Sequence, residues 1–260
     1  MTIRESLDFT YDGVSSATMG LYNVNVSSGM QEEPFSNGRE ILEQTVRGRT
    51  VPYFQEIREK PLEFEVEFAF IDSWDNTSIR KIGQWLLKSY YKPLYFSDNP
   101  DRIFWAVVVD SPTLVHNSLK QGYVKLKFRC SDAYAYSPIY ASPLYDYSSN
   151  PVAGTTLTFT NNGDLSLYPE IWITNITANQ TVSIFNQSNG NIEFKFVSLN
   201  ANETVYIDNF NQFITTDVVG QYRYSNFNNN WLELLVGVNN LLVKGNCKLQ
   251  FRYSYRLMQG

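Results

Sequence analysis

The sequence predicts a mostly β protein: an α+β N-terminal domain with one main helix on a β-sandwich, followed by a C-terminal sandwich or jelly roll. Three observations carry this. Charged residues are only 18% of the chain while Tyr and Phe number 18 and 17, a composition that favours strands joined by polar turns over a helical bundle. Apolar and charged residues alternate with period two in several segments, and helical spacing is found between Asp75 and Lys88. In the second half, candidate strands recur at roughly ten-residue intervals with Asn and Gly between them.

Thr2 to Tyr11 is expected to be a first strand, with Ile3, Leu7 and Phe9 as apolar contacts, turning at Tyr11-Asp12-Gly13-Val14. Leu21, Val24 and Val26 mark a second. From Ser27 to Lys60 the character changes, because Gly29, Pro34, Gly38, Gly48 and Pro52 punctuate a polar segment carrying Arg39, Arg47 and Arg49. This reads as a projecting hairpin or arm over about residues 29–58. The Arg47-Gly48-Arg49 run invites a phosphate-binding reading, but it lacks P-loop spacing and Glu40 and Glu43 offset its charge.

In Pro61 to Phe70, Leu62, Phe64, Val66, Phe68 and Phe70 share one face of a strand and Glu63, Glu65 and Glu67 the other. Asp75, Asn76 and Thr77 offer caps to a helix from about Thr77 to Lys88, whose stripe is Ile79, Ile82, Trp85 and Leu86. Pro93 stops anything longer. Arg102 to Asp110 is apolar without alternation, which predicts a central strand covered on both faces. From Gly122 to Cys130, Val124, Leu126, Phe128 and Cys130 point one way and Lys125, Lys127 and Arg129 the other. The acidic and basic rows have the same pitch. They pair across neighbouring strands or across a subunit boundary, unless both are simply solvated faces of ordinary strands.

Ser137-Pro138 and Ser142-Pro143 begin an aromatic, polar connector running to Pro151, which places a domain boundary near Ser137 and divides the chain into 1–137 and 138–260. Strands are then expected at Thr156–Thr160, Glu170–Asn175, Thr181–Phe185, Asn191–Val197, Glu203–Ile207, Trp231–Leu235, Asn240–Val243 and Cys247–Leu257.

Composition also limits function. A formal net charge of −5 and a pI near 5.0 argue against a grasped nucleic acid. Met1 to Thr10 lacks the basic start and apolar run of a signal peptide, and no stretch has the length of a membrane helix. Cys130 and Cys247 occupy apolar strand positions and read as buried free thiols rather than a disulfide. With one histidine, His116, and no Cys pairing at ligand spacing, neither a metal site nor a cofactor is expected. His116 stands by no serine or cysteine motif, and Glu170 and Asp208 are scattered acids rather than a recognisable hydrolase pair, so no catalytic residue is assigned. Trp172 and Trp231 have faces that stack on sugars in a lectin-like adhesin module, although aromatics in strands more often pack in cores.

The order of features from the helix onward resembles the distal tail proteins (Dit) of phages with long non-contractile tails, the siphovirus tail component family. The residues that carry it are Ile79, Ile82, Trp85 and Leu86, then Lys92 to Arg102 (KPLYFSDNPDR) leading into Phe104-Trp105-Ala106-Val107, then Gly122 to Phe128 and Cys130 to Tyr136. Weaker matches follow at Asn161-Asn162-Gly163-Asp164, Tyr168 to Ile171, Val205 to Asp208 and Gly237-Val238-Asn239. The resemblance implies a galectin-like C-terminal sandwich and a hexameric ring at the distal end of the virion tail, made in the host cytoplasm. It implies as partners other copies of the chain, the tail tube protein, a tail-associated hub or lysin and receptor-binding or baseplate proteins, with DNA passing through but not bound specifically and no membrane. The contacts expected to join copies are Glu63, Glu65, Glu67, Lys125, Lys127 and Arg129 with the arm residues Arg39, Arg47 and Arg49.

Overall fold

The computed structural model describes residues 6–24 and 33–258 and divides the chain into two compact units, residues 1–137 with 257–260 and residues 138–256. In the first, the elements are β1 (Phe9–Tyr11), β2 (Val14–Ser15), β3 (Leu21–Asn23), β4 (Arg39–Gln44), β5 (Tyr53–Glu59), β6 (Glu63–Phe70), α1 (Asn76–Leu86), β7 (Lys92–Phe96), β8 (Asn99–His116), β9 (Gly122–Cys130) and β10 (Ala135–Tyr136). The main sheet runs β2-β1-β7-β8-β9-β6-β3, and β4 and β5 form a separate two-stranded sheet.

The core of this unit is aromatic. Phe9 stacks on Phe68 with ring centroids 4.3 Å apart and on Trp85 at 5.5 Å, while Tyr11 meets Phe128 at 5.6 Å. Helix α1 begins at a capping box, in which the Asp75 carboxylate accepts from the Ser78 N–H at 2.7 Å and the Ser78 hydroxyl accepts from the Asp75 N–H at 3.0 Å. Ile82, Trp85 and Leu86 are buried as its spacing predicts. The Trp85 indole N–H donates to the Tyr11 carbonyl at 2.8 Å and the Tyr11 hydroxyl to the Ala106 carbonyl at 3.3 Å, so both polar groups that these rings carry into the core are satisfied.

Several expectations need correction. Leu7 is exposed and the first strand spans only Phe9–Tyr11; Thr2 to Glu5, with Ile3, and Val26 of the second strand lie outside the described residues. Strand β8 is central, but it is not covered on both faces: Phe104 and Ala106 are buried, whereas Trp105 is 40% exposed and Val107 and Val109 are half-buried. Its apolar run is continuous because the outer face carries Trp, Val and Val beside a charged ladder. β8 also runs on to His116, which is exposed.

The second unit contains β11 (Tyr140–Ala141), β12 (Tyr145–Tyr147), β13 (Thr155–Asn161), β14 (Glu170–Asn175), β15 (Gln180–Asn186), β16 (Ile192–Leu199), β17 (Thr204–Asp208), β18 (Phe213–Thr216), β19 (Gly237–Lys244) and β20 (Cys247–Tyr253). One sheet has the order β11-β20-β14-β17-β18, with β12 also on β20, and the other β13-β19-β15-β16. Ile171, Ile173, Val205, Ile207 and Leu249 from the first and Val182, Ile184, Phe194, Leu241 and Val243 from the second belong to one buried core. The connector after Ser137 is therefore not free of strands: between its prolines, β11 and β12 are short enough to pair along β20. Strand β18 was not expected, because only Ile214 of its four residues is buried.

Trp231 to Leu235 is the clearest departure, an irregular segment joined to the rest by a single bridge from Leu234 to Leu167. Its backbone is satisfied by side-chain amides instead of a ladder. Asn209 accepts from the Leu232 N–H at 2.8 Å, Asn186 donates to Glu233 O at 2.7 Å, and Asn239 both accepts from the Leu235 N–H and donates to its carbonyl. Asn186, Asn209 and Asn239 are all buried, and buried amides of this kind substitute for strand pairing. Beside β17, the carboxylate of Glu203 and the guanidinium of Arg223 form a buried fork at 2.7 and 2.6 Å. Thr216 and the Asn200 N–H complete the carboxylate's partners.

Candidate assembly surfaces

The two charged rows lie on adjacent antiparallel strands and face each other directly: Glu63 opposite Arg129, Glu65 opposite Lys127, Glu67 opposite Lys125. Lys125 Nζ is 2.9 Å from Glu67, Lys127 Nζ is 2.8 Å from Glu63 and 3.3 Å from Asp110, and Arg129 Nε is 3.5 Å from Glu63. Hydrogen bonds to Glu67 and to Glu63 push the Lys125 and Lys127 ammonium groups above the usual lysine range. Arg129 also donates to the Tyr91 hydroxyl.

Asp110 was not legible as a member of this ladder. It sits where the β8–β9 register shifts between Val109 and Thr113, in the left-handed region at φ +60°, and that bulge aims its carboxylate at Lys127. Val107 and Val109 lie opposite Arg129 and Lys127, so with Trp105 they place an apolar stripe beside the charges on the same face. The sheet therefore presents a charge-paired band edged by the exposed Trp105 and the half-buried Val107 and Val109.

The arm is the hairpin β4–β5, with Arg39 opposite Glu59 and Ile41 opposite Ile57. Its charges are engaged along its own length: Arg39 is 3.9 Å from Glu59, Lys60 is 3.2 Å from Glu40, and the Arg49 guanidinium lies 3.9 Å over the Tyr53 ring. Arg47 is exposed in the turn beside Gly48, whose φ of +88° suits glycine. Large apolar side chains are turned to solvent beside these charges. Phe35 is 85% exposed, Ile41 61% and Phe54 64%, and Ile57 is also exposed. Charge marks the arginines in the sequence, whereas nothing local marks these apolar side chains as exposed.

In the second unit the two tryptophans are in different settings. Trp231 packs on Phe227 at 4.8 Å and against the buried core. Trp172 stands half-buried on the outer face of its sheet, 4.9 Å from the Tyr206 ring and 5.4 Å from the Arg252 guanidinium. Glu170 and Asp208 are cross-strand neighbours, but the Glu170 carboxylate accepts from the Tyr206 hydroxyl at 2.8 Å and from Arg252 at 2.5 Å. Both cysteines are free and buried, and burial pushes each thiol up to about 12, which leaves no reactive thiolate at neutral pH. Among the described residues no cluster of His, Cys, Asp and Glu has the arrangement to hold a metal, and no helix is long and apolar enough to cross a membrane.

Residues 4–132 match the family model described as a phage tail protein N-terminal domain, and residues 140–253 match that of a phage tail C-terminal domain. The chain belongs to this phage tail protein family, and the virion tail is its location. It is 27% identical to the SPbeta prophage-derived uncharacterized protein YomH of Bacillus subtilis (strain 168), over 98% of this chain and all of that one. Its fold is that of the SPP1 Dit protein, described as a paradigm of the hub adsorption apparatus in phages infecting Gram-positive bacteria. That match has a TM-score of 0.69 at 15% identity, over 95% of this chain and 98% of the other.

Proposed function

We propose that the chain is the distal tail protein of a long non-contractile phage tail, a ring-forming hub without enzymatic activity. Copies join through residues 1–137 into a closed ring, six by resemblance, that seats on the end of the tail tube. Residues 138–260 carry the tail-associated hub or lysin and the receptor-binding or baseplate proteins. The observation that carries this reading is the arm. An isolated two-stranded sheet is marginal in water, and here Ile41, Phe54, Ile57 and Phe35 are left open to solvent. A second copy supplies the missing surface, and contacts between unlike faces generate a ring when their rotation closes.

The charge-paired band fits the same role. Its ions are already matched within the chain, so a neighbour meets a polar but nearly neutral face edged by Trp105, Val107 and Val109, without strong repulsion between copies. Each copy adds a formal −5 to the ring, which keeps passing DNA from adhering. Light scattering after size exclusion and negative-stain imaging of the full chain test this. Rings with a central hole are expected, and a monomer that persists at high concentration overturns the proposal.

A further inference from the structure

The outer face of the sheet formed by β20, β14 and β17 has a composition that the assembly role does not require. Side chains that share this face are fixed by register: Trp172 lies between Tyr206 and Gln250, Glu170 between Asp208 and Arg252, and Thr174 between Thr204 and Lys248. Two aromatic rings thus occupy the centre of a grid whose surrounding positions on β14, β17 and β20 carry hydrogen-bonding groups, with Thr215 beside Tyr206 and Phe213 beside Asp208 on β18. Neither ring belongs to the buried core of this unit, whose phenylalanines Phe159, Phe194, Phe196, Phe227 and Phe251 are at most 6% exposed.

We propose that this face is a carbohydrate-binding platform for a neutral oligosaccharide, with Trp172 and Tyr206 as the stacking surface and Glu170, Arg252, Asp208 and Gln250 reading the hydroxyl groups. A pyranose has an apolar C–H face and a rim of hydroxyls, and an aromatic pair inside a ring of amide, carboxylate and guanidinium groups is its complement. A protein hot spot of the same Trp, Tyr and Arg content is instead ringed by contacts that exclude water, whereas every cross-strand neighbour of the two rings on this face is polar. The polar groups are held before any ligand arrives. Glu170 is fixed by both Tyr206 and Arg252, Asp208 accepts from Asn211 at 2.9 and 2.8 Å, and the Gln250 amide donates to Ser142 O at 3.2 Å. Preorganisation of this kind lowers the entropy cost of binding. Arg252 is committed to Glu170, so the face offers no unbalanced cation for an anionic glycan. This site is independent of ring formation.

Saturation-transfer NMR and calorimetry on the full chain, with cellotetraose, chitotetraose, maltotetraose and lactose as probes, test the proposal. At least one probe is expected to bind, and Trp172→Ala to weaken it by about tenfold or more. Tyr206→Phe, which removes only a hydroxyl, keeps the test valid if Trp172→Ala fails to fold, and Arg252→Lys is expected to weaken binding through loss of the planar fork. No binding of any probe at about 10 mM overturns the proposal. So does binding that all three variants leave unchanged, and so does capture of a tail protein by this face without affinity for any sugar.

Discussion

The two halves of the molecule handle polar groups in opposite ways. In the C-terminal unit, Asn161, Asn175, Asn186, Asn209, Asn239, Glu203 and Arg223 are all buried and hold irregular backbone where no strand reaches. In the N-terminal unit the corresponding charges stand outside, as a ladder on β6, β8 and β9, and the interior is a cluster of aromatic rings. A buried polar network specifies one arrangement of loops within one chain. The first unit instead keeps its charges on an outer band and leaves the apolar side chains of one hairpin exposed.

The contrast is broken most directly at Glu203. Glu203→Ala leaves Arg223 charged and buried without its partner, and a loss of about 3–5 kcal/mol in the second unit is expected from denaturant unfolding. Burial pushes the Glu203 carboxyl up, but Arg223, Thr216 and the Asn200 N–H outweigh it and hold the group below the usual glutamate range. Its contribution is therefore complete above the ordinary glutamate value and disappears as pH falls through the depressed folded value. Glu203→Gln removes that pH dependence. A smaller effect is expected for Asn239→Ala, which strips the partners from Leu235 N–H and C=O; about 1–3 kcal/mol, measured the same way, follows from orphaning buried backbone.

These two sites also show where the sequence stops being readable. Helix α1 was legible because its signals are local: Asp75 as cap and Ile82, Trp85 and Leu86 at helical spacing. The charged rows were legible as rows, since alternation is local too, but that β6 and β9 are neighbours is a property of the whole sheet. Trp231 to Leu235 looks like a strand by composition, and only its distance partners, the amides of Asn186, Asn209 and Asn239, show that it is not one. Apolar residues in the arm were invisible as a surface for the same reason: nothing local to Ile41 or Phe54 says that the fold leaves them outside.

Replacing residues 39–59 by a short Gly-Ser link sharpens the comparison from the other side. Nothing in the aromatic core depends on this hairpin, so the melting temperature is expected to stay within a few degrees, about the change that 1 kcal/mol produces, while self-association in light scattering is lost. Rings that survive this excision count against the arm as the joint between copies.

The least stability change is expected from the ladder, and there the two readings of it separate. Reversing both partners, Glu63→Lys with Lys127→Glu, keeps a cross-strand pair in place, although Glu65, Asp110 and Arg129 then each face a like charge. Because these side chains are solvated, unfolding of the isolated chain is expected to shift only slightly, and less still in high salt. If the band is an ordinary solvated face, ring formation is equally indifferent. If it is a contact surface, the altered pattern of charge meets an unaltered neighbouring patch, and the salt dependence and rate of assembly change while stability does not. Sedimentation of wild type and double variant across a range of ionic strength therefore reads the role of Glu63 and Lys127 without interference from folding.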